Sequence, residues 1–151
     1  MHYKPSLWPV SIKGVALDRE HRVLLLRNER DEWELPGGRL EIGPAGGGSS
    51  AADSSPAQTL ERELAEETGW RVTTGPQLET GTWIYQPIPG RRVLILTYGC
   101  IVHTPDQKPV LSHEHKELGL FHRDEVPELT MPDGYKRAIN AWYDHLAQPV
   151  G

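Results

Sequence analysis

Cysteine is nearly missing from this chain: Cys100 is the single one in 151 residues. No disulfide can form within the chain, so a disulfide framework is excluded. Cys100 sits in an apolar, strand-like run, and its neighbours Gly99 and Ile101 offer no activating base. It reads as a buried, reduced thiol rather than a nucleophile. There is no apolar run near the length of roughly 18 residues that a membrane helix needs, and no secretory leader pattern. Positive charge is not in excess either, with 16 Lys and Arg against 21 Asp and Glu, a net charge of −5. That balance argues against a nucleic-acid backbone or an anionic membrane as main partner. A small anionic substrate stays open, because a metal ion and local arginines can reverse the field at one site. With 37% hydrophobic and 25% charged residues the composition is that of a soluble globular chain. One domain over residues 1–151 and a cytoplasmic location are expected.

What is present is concentrated between Gly37 and Trp70. Glu63, Glu66 and Glu67 stand at i, i+3 and i+4, which places three carboxylates on one face of a helix. Like charges so placed repel one another, and a hard divalent cation with oxygen ligands would neutralise them. On spacing alone a solvated acidic face is the commoner arrangement; the surrounding sequence favours a cation site. Ser55-Pro56-Ala57-Gln58 fits a capping box, with Ser55 as N-cap, Pro56 at the first helical position and Gln58 at the third. Gly69 fits the left-handed position past the C-terminus. Ala57, Leu60 and Leu64 form a short apolar stripe beside the glutamates. Upstream, Trp33-Glu34-Leu35-Pro36-Gly37-Gly38 ends a short strand in a tight turn, where two glycines allow a close backbone approach.

Gly37-Gly38-Arg39-Leu40-Glu41-Ile42-Gly43 followed by Arg62-Glu63-Leu64-Ala65-Glu66-Glu67-Thr68-Gly69-Trp70 resembles the signature of the Nudix hydrolases. That signature reads G-x5-E-x7-R-E-U-x-E-E-x-G-U, where U is a bulky apolar residue, and the second half matches at every fixed position. The first half departs from it. Counting from Gly38, the expected Glu is Pro44; counting back from Arg62, it is Ser54. The chain is ten residues longer than the signature between Gly38 and Arg62, the excess being a Gly/Ser/Ala run about 44–54 that is expected to be flexible. In the family this Glu braces the loop and helix, often through the Arg that is Arg62 here. Glu41 and Asp53 are alternative partners for Arg62.

The resemblance implies an α/β fold, a Nudix-type α/β/α sandwich with a mixed sheet between helices, which the order of elements also allows. It implies hydrolysis of a phosphoanhydride in a nucleoside diphosphate derivative or a nucleoside triphosphate, with Mg2+ or Mn2+ as cofactor. Carried over by residue, Gly37 (through its carbonyl), Glu63, Glu66 and Glu67 hold the metal, while Arg62, Gly38 and Gly69 are structural. Glu63 or Glu114 orients or deprotonates the attacking water, with Glu117 in reserve for Glu114. A compact general Nudix enzyme is the subgroup that the Leu24-Leu25-Leu26-Arg27 and Trp33–Gly38 lead-in is similar to. The alternative is a Nudix-fold protein that has lost turnover and binds a nucleotide as a sensor, which the missing Glu motivates. A DNA-binding regulator would bring a basic domain that this chain lacks.

Along the rest of the chain, strands are expected over 7–17, 22–27, 33–35, from Trp70 to about 73, over 82–85 and over 91–103. Residues 111–121 read as a loop feeding a short strand, 122–129 as an acidic turn broken by Pro127, and Tyr135, Ala138, Ile139, Trp142 and Leu146 as the stripe of a closing amphipathic helix. Arg27, Arg30, Arg91 and Arg92 are candidate phosphate contacts, at most one of which is needed; Arg27 is taken as that one. Trp33, Trp83 and Tyr85 are read as core. His113 and His115 are read as solvated loop residues, and a zinc site with His122 lacks supporting ligand spacing. Dimerisation is compatible with the chain, though no segment marks an interface.

Overall fold

The computed structural model describes residues 7–40 and 55–149. The expected flexible run about 44–54, and with it Glu41 and Asp53, lies outside the described residues. The first strand, β1 (Val10–Val15), is shorter than the expected 7–17. Leu7 is exposed, and Pro9, which has no N–H to give a ladder, contributes only its carbonyl, accepting from Leu94 N. β2 (Val23–Arg27), β3 (Trp33–Glu34) and β4 (Gly37–Arg39) follow, then α1 (Pro56–Thr68), β5 (Val72–Gln77), β6 (Trp83–Ile88), β7 (Arg91–Val102), β8 (Glu117–Phe121) and α2 (Asp133–Ala147). Short 3-10 turns lie at Glu79–Gly81 and Arg123–Glu128.

The strands form the expected mixed sheet between the helices, with a second, smaller sheet beside it. The larger runs β4-β1-β7-β5, and β6 also pairs with β7. It is mixed because β1 runs parallel to β7 while the other pairings are antiparallel. The twelve-residue β7 is long enough to serve two partners on one edge: β6 takes its first half, from Arg91 to Ile95, and β5 its second, from Tyr98 to Val102. The smaller sheet is the antiparallel set β3-β2-β8.

The two-residue period of β1 sorts the core into two layers. Ile12 and Ala16 face α1 and pack with Leu24, Leu60, Leu64, Trp70 and Cys100. Val15 and Leu17 face the other way and pack with Leu25, Ile95, Tyr135, Ile139 and Trp142 under α2. Leu60 and Leu64 of α1 and Tyr135, Ala138, Ile139 and Trp142 of α2 are therefore spent on the core, as their spacing predicts, whereas Leu146, expected as the last member of the α2 stripe, is 48% exposed in the final turn of the helix. Truncating Leu60 or Leu64, both 0% exposed, to Ala would cost about 2–5 kcal/mol. Burial pushes the Cys100 thiol up to about 12, so it stays protonated in the core.

The ends of α1 match the expected signals. Ser55 Oγ accepts from Gln58 N at 3.1 Å, Pro56 opens the helix, and Gly69 closes it at φ 76° with its N–H donating to Ala65 O. Trp70 does not start β5 as expected. It is fully buried, and its indole N–H donates to Gln107 O at 2.8 Å, which turns the chain before Val72 begins the strand. Among the described residues no helix is long and apolar enough to cross a membrane.

Candidate active site

The two glycines after Pro36 bring three elements into close approach. β4 pairs with β1 so that Gly37 lies opposite Lys13 and Gly38 opposite Ile12. Gly37 has φ 144°, and a Cβ there would stand 2.0 Å from Ile12 O. A Cβ on Gly38 would stand 2.5 Å from Glu63 Cδ, so the absent side chain is the space that Glu63 fills. α1 thus lays its acidic edge directly on β4.

The three glutamates of that edge differ. Glu67 is 6% exposed, and its Oε2 accepts from Gly37 N at 3.1 Å. Burial pushes its carboxyl up to about 7; Lys13 and the Gly37 amide pull it down, and Glu63 pushes it up. The Glu63 side chain is 14% exposed and is also raised, by burial first, with Arg62 lowering it and Glu66 and Glu114 raising it. Glu66 is turned outward, its side chain 61% exposed. Arg62 Nη1 stands 3.1 Å from Glu63 Oε1 and 3.6 Å from Glu66 Oε2, both on its own helix. Among the described residues no three His, Cys, Asp or Glu side chains converge on one point as they stand. Glu66 leans to Arg62 and Glu67 is drawn to the Gly37 amide, so the trio shares a ridge without meeting. The donor set nonetheless suits a hard divalent cation: three carboxylates beside a glycine turn, two of them raised by burial and mutual repulsion, which a cation would relieve.

Glu114 is exposed, and its charge adds a small upward push to Glu63. Glu117, the reserve, is instead bound by Arg27 Nη1 at 3.2 Å. Arg27 also stands 3.9 Å from Asp31. This candidate phosphate contact is therefore engaged in ion pairs across the β2–β8 ladder.

Three residues that the sequence did not mark complete the picture. Lys13 is 9% exposed in the middle of β1. Burial opposes its charge, but Tyr135, Glu34, Glu67 and Glu63 around it outweigh that and hold its pKa above the usual value. Glu34 ends β3; burial opposes its charge too, but Lys13, His115 and Asn28 draw it down to about 2. His115, read as a solvated loop residue, has a side chain only 12% exposed, with Nε2 3.2 Å from Glu34 Oε1. His113 is exposed as expected. The one signal in the sequence was a lysine inside the apolar strand Val10–Val15.

On the α2 side of the sheet, Lys13 lines a cavity of about 180 Å³ with Arg30, Arg39, Arg91, Tyr85 and Tyr135. Trp83, Tyr85 and Tyr135 pack edge to face or tilted on one another, with ring centroids 5.1 to 6.3 Å apart, and the Arg30 guanidinium lies 6.0 Å from the Tyr85 ring. Trp33 packs edge to face on Phe121 as a core residue. Tyr85 and Tyr135, read as core, are also cavity wall. Lys13 is common to the cavity and the carboxylate ridge.

A mixed sheet between two helices, with a glutamate ridge laid on a double-glycine turn, is the α/β arrangement that the family comparison then identifies. The model of the NUDIX domain matches residues 8–143, so the chain belongs to the Nudix family. It is 41% identical over 140 residues, 89% of this chain and 60% of the other, to YjhB of Bacillus subtilis strain 168, provisionally named an ADP-ribose pyrophosphatase. It is 33% identical over 97 residues, 64% of this chain and 53% of the other, to a MutT-like protein of Streptomyces ambofaciens. The chain thus spans just over half the length of these curated relatives. The crystal structure of a MutT protein from Methanosarcina mazei Go1 superposes with a TM-score of 0.70 at 20% identity, over 93% of this chain and 96% of that one, a likeness of fold.

Proposed function

We propose that the chain is a divalent-metal-dependent hydrolase that cleaves the phosphoanhydride bond of a nucleoside diphosphate derivative or a nucleoside triphosphate. The observation that carries this reading is the pair of half-buried Glu63 and buried Glu67, both with raised pKa, packed on the double-glycine turn, with Lys13 linking it to a cationic cavity. Glu63, Glu66, Glu67 and the Gly37 carbonyl would hold Mg2+ or Mn2+. A cation held there neutralises the phosphates and supplies Lewis acidity.

The remaining work falls to the chain's own groups. Glu114 is the general base: it takes a proton from the attacking water as the new O–P bond forms and the P–O–P bridge breaks, with Glu63 as the alternative base. Lys13, Arg30, Arg39 and Arg91 favour an anionic substrate end, and Tyr85 offers a ring face for stacking. The name carried by the Bacillus relative makes ADP-ribose a first substrate to try.

The test is product release from ADP-ribose, nucleotide sugars, dinucleoside polyphosphates and nucleoside triphosphates, with Mg2+, Mn2+ or EDTA. Turnover of at least one compound with metal, abolished by EDTA, is expected. Nucleotide binding without turnover across the panel would instead support the sensor reading that Pro44 and Ser54, at the place of the signature Glu, motivate.

A further inference from the structure

Among the described residues, the segment that carries Glu114 has few ties to the rest of the protein. β8 starts at Glu117, and up to there the chain is held by the ladder to β2, by Lys116 N donating to Arg27 O at 3.1 Å and by Lys116 Nζ donating to Asp31 at 3.0 Å. Beyond it, residues 112–115 form a turn bonded mainly to itself, with Glu114 N donating to Ser112 Oγ and His115 N to Ser112 O, both at 3.4 Å. Within that turn, His115 makes the side-chain bond to another element: Nε2 donates to Glu34 Oε1 at 3.2 Å. Its Nδ1 is also out of water and finds no partner among the described residues.

Glu34 is itself fixed. Its other oxygen accepts from Asn28 Nδ2 at 3.2 Å, and Asn28 Oδ1 accepts from Arg30 N at 2.9 Å and Glu32 N at 3.2 Å, which closes the 28–32 turn. Lys13 holds Glu34 from the sheet side. The ring of His115 is therefore tied to a rigid acceptor at the end of β3, one strand junction away from the Gly37–Gly38 turn.

We propose that His115 is a positioning residue, which fastens the 112–115 turn to Glu34 and thereby holds Glu114 toward Glu63. This rests on the reading of Glu114 as the base. A residue that positions a base loses its effect once the base is gone, whereas a residue that merely stabilises the fold acts independently of it.

The experiment compares wild type, E114Q, H115A, H115Q, H113A and the double variant E114Q/H115A, by steady-state kinetics with Mg2+ and by amide hydrogen exchange on the metal-free protein. E114Q is expected to lower kcat about 100-fold or more, as loss of a general base does. H115A is expected to lower kcat about tenfold with KM within about twofold, H115Q to recover most of that loss through its side-chain N–H, and H113A to match wild type. The double variant is expected to match E114Q within about twofold. Exchange should speed up about tenfold at residues 113–116 in H115A and stay unchanged in α1. Unchanged exchange at 113–116 overturns the latch itself. Faster exchange with wild-type kcat, or losses that multiply in the double variant, overturns its role in positioning. A wild-type rate for E114Q overturns the assignment of the base and the latch's purpose together, while a slow E114Q beside a wild-type H115A overturns the latch alone.

Discussion

The two sides of Lys13 are built on different plans. On one side lies the glutamate ridge of α1, three acids within five consecutive residues of one helix, seated on two adjacent glycines. On the other lies the cavity with four cationic wall residues and one acid, Glu34, drawn from the 28–32 turn and from β1, β3, β4, β6, β7 and α2. The ridge is local, so a short spacing rule dictates its geometry. The cavity is assembled from residues up to 124 positions apart in sequence, from Ser11 to Tyr135. In this division the ridge suits what every phosphoanhydride shares, and the cavity suits what distinguishes one substrate from another.

The largest test of that division strikes the ridge. Glu67→Gln is expected to cut kcat by about 100-fold or more across all substrates while the far-ultraviolet circular dichroism stays that of wild type. The Gln side-chain oxygen still accepts from Gly37 N, so the fold keeps its contact and only the charge is lost. A rate near that of wild type with Mg2+ would remove Glu67 from the metal site.

Lys13→Met acts on both sides at once. It leaves the half-buried Glu34 and the buried Glu67 without their shared lysine, and a urea melt should show a loss of about 3 kcal/mol. Turnover should fall for every substrate, in contrast to the selective losses expected from cavity changes. An unchanged melt would show that Lys13 is not electrostatically joined to either acid.

The pH dependence separates metal-free from metal-bound protein. Glu67 folded at about 7 binds a proton that the unfolded chain has released above about 4.5. Its stabilising contribution is therefore complete below about 4.5 and is lost as pH rises through 7. His115, raised first by its bond to Glu34, has the same sign, its contribution being lost as pH rises through its own raised pKa. Glu34, at about 2, has the opposite sign and matters only in acid. A cation displaces the Glu67 proton, so the rise in Tm on adding Mg2+ should be larger at pH 8 than at pH 5.5. An equal rise at both values would place the ion away from Glu67.

The smallest expected effect is at the cavity rim. Arg91 is exposed, and Arg91→Ala should raise KM for one class of substrate by about fivefold, leave kcat within about twofold, and not change stability. An equal change for all substrates would join the cavity to the general chemistry and erase the distinction between the two sides.

The legibility of the sequence follows the same boundary. The helix 56–68, its Ser55 cap, its Gly69 stop and its apolar stripe were readable because each depends on residues within one or two turns of the others, whereas Glu63 and Glu66, with which Arg62 forms ion pairs, were not among the partners the sequence suggested for it. Local spacing did not show that Arg27 and Glu117 stand opposite one another and form an ion pair; the β2–β8 register sets that contact. Trp70 was read as strand because it is apolar, and it is a buried plug because Gln107, far along the chain, accepts its indole N–H.

By itself, then, the sequence determined the family, the two helices and the acidic ridge, since helical period, capping and glycine turns act over short separations. Only the tertiary structure decided that Lys13, Glu34 and His115 form one buried charge network, and that the cavity beside it is cationic. Strand register and sheet order bring those groups together, and in a chain of this topology they are set by hydrophobic burial across the whole molecule rather than by any neighbouring residues.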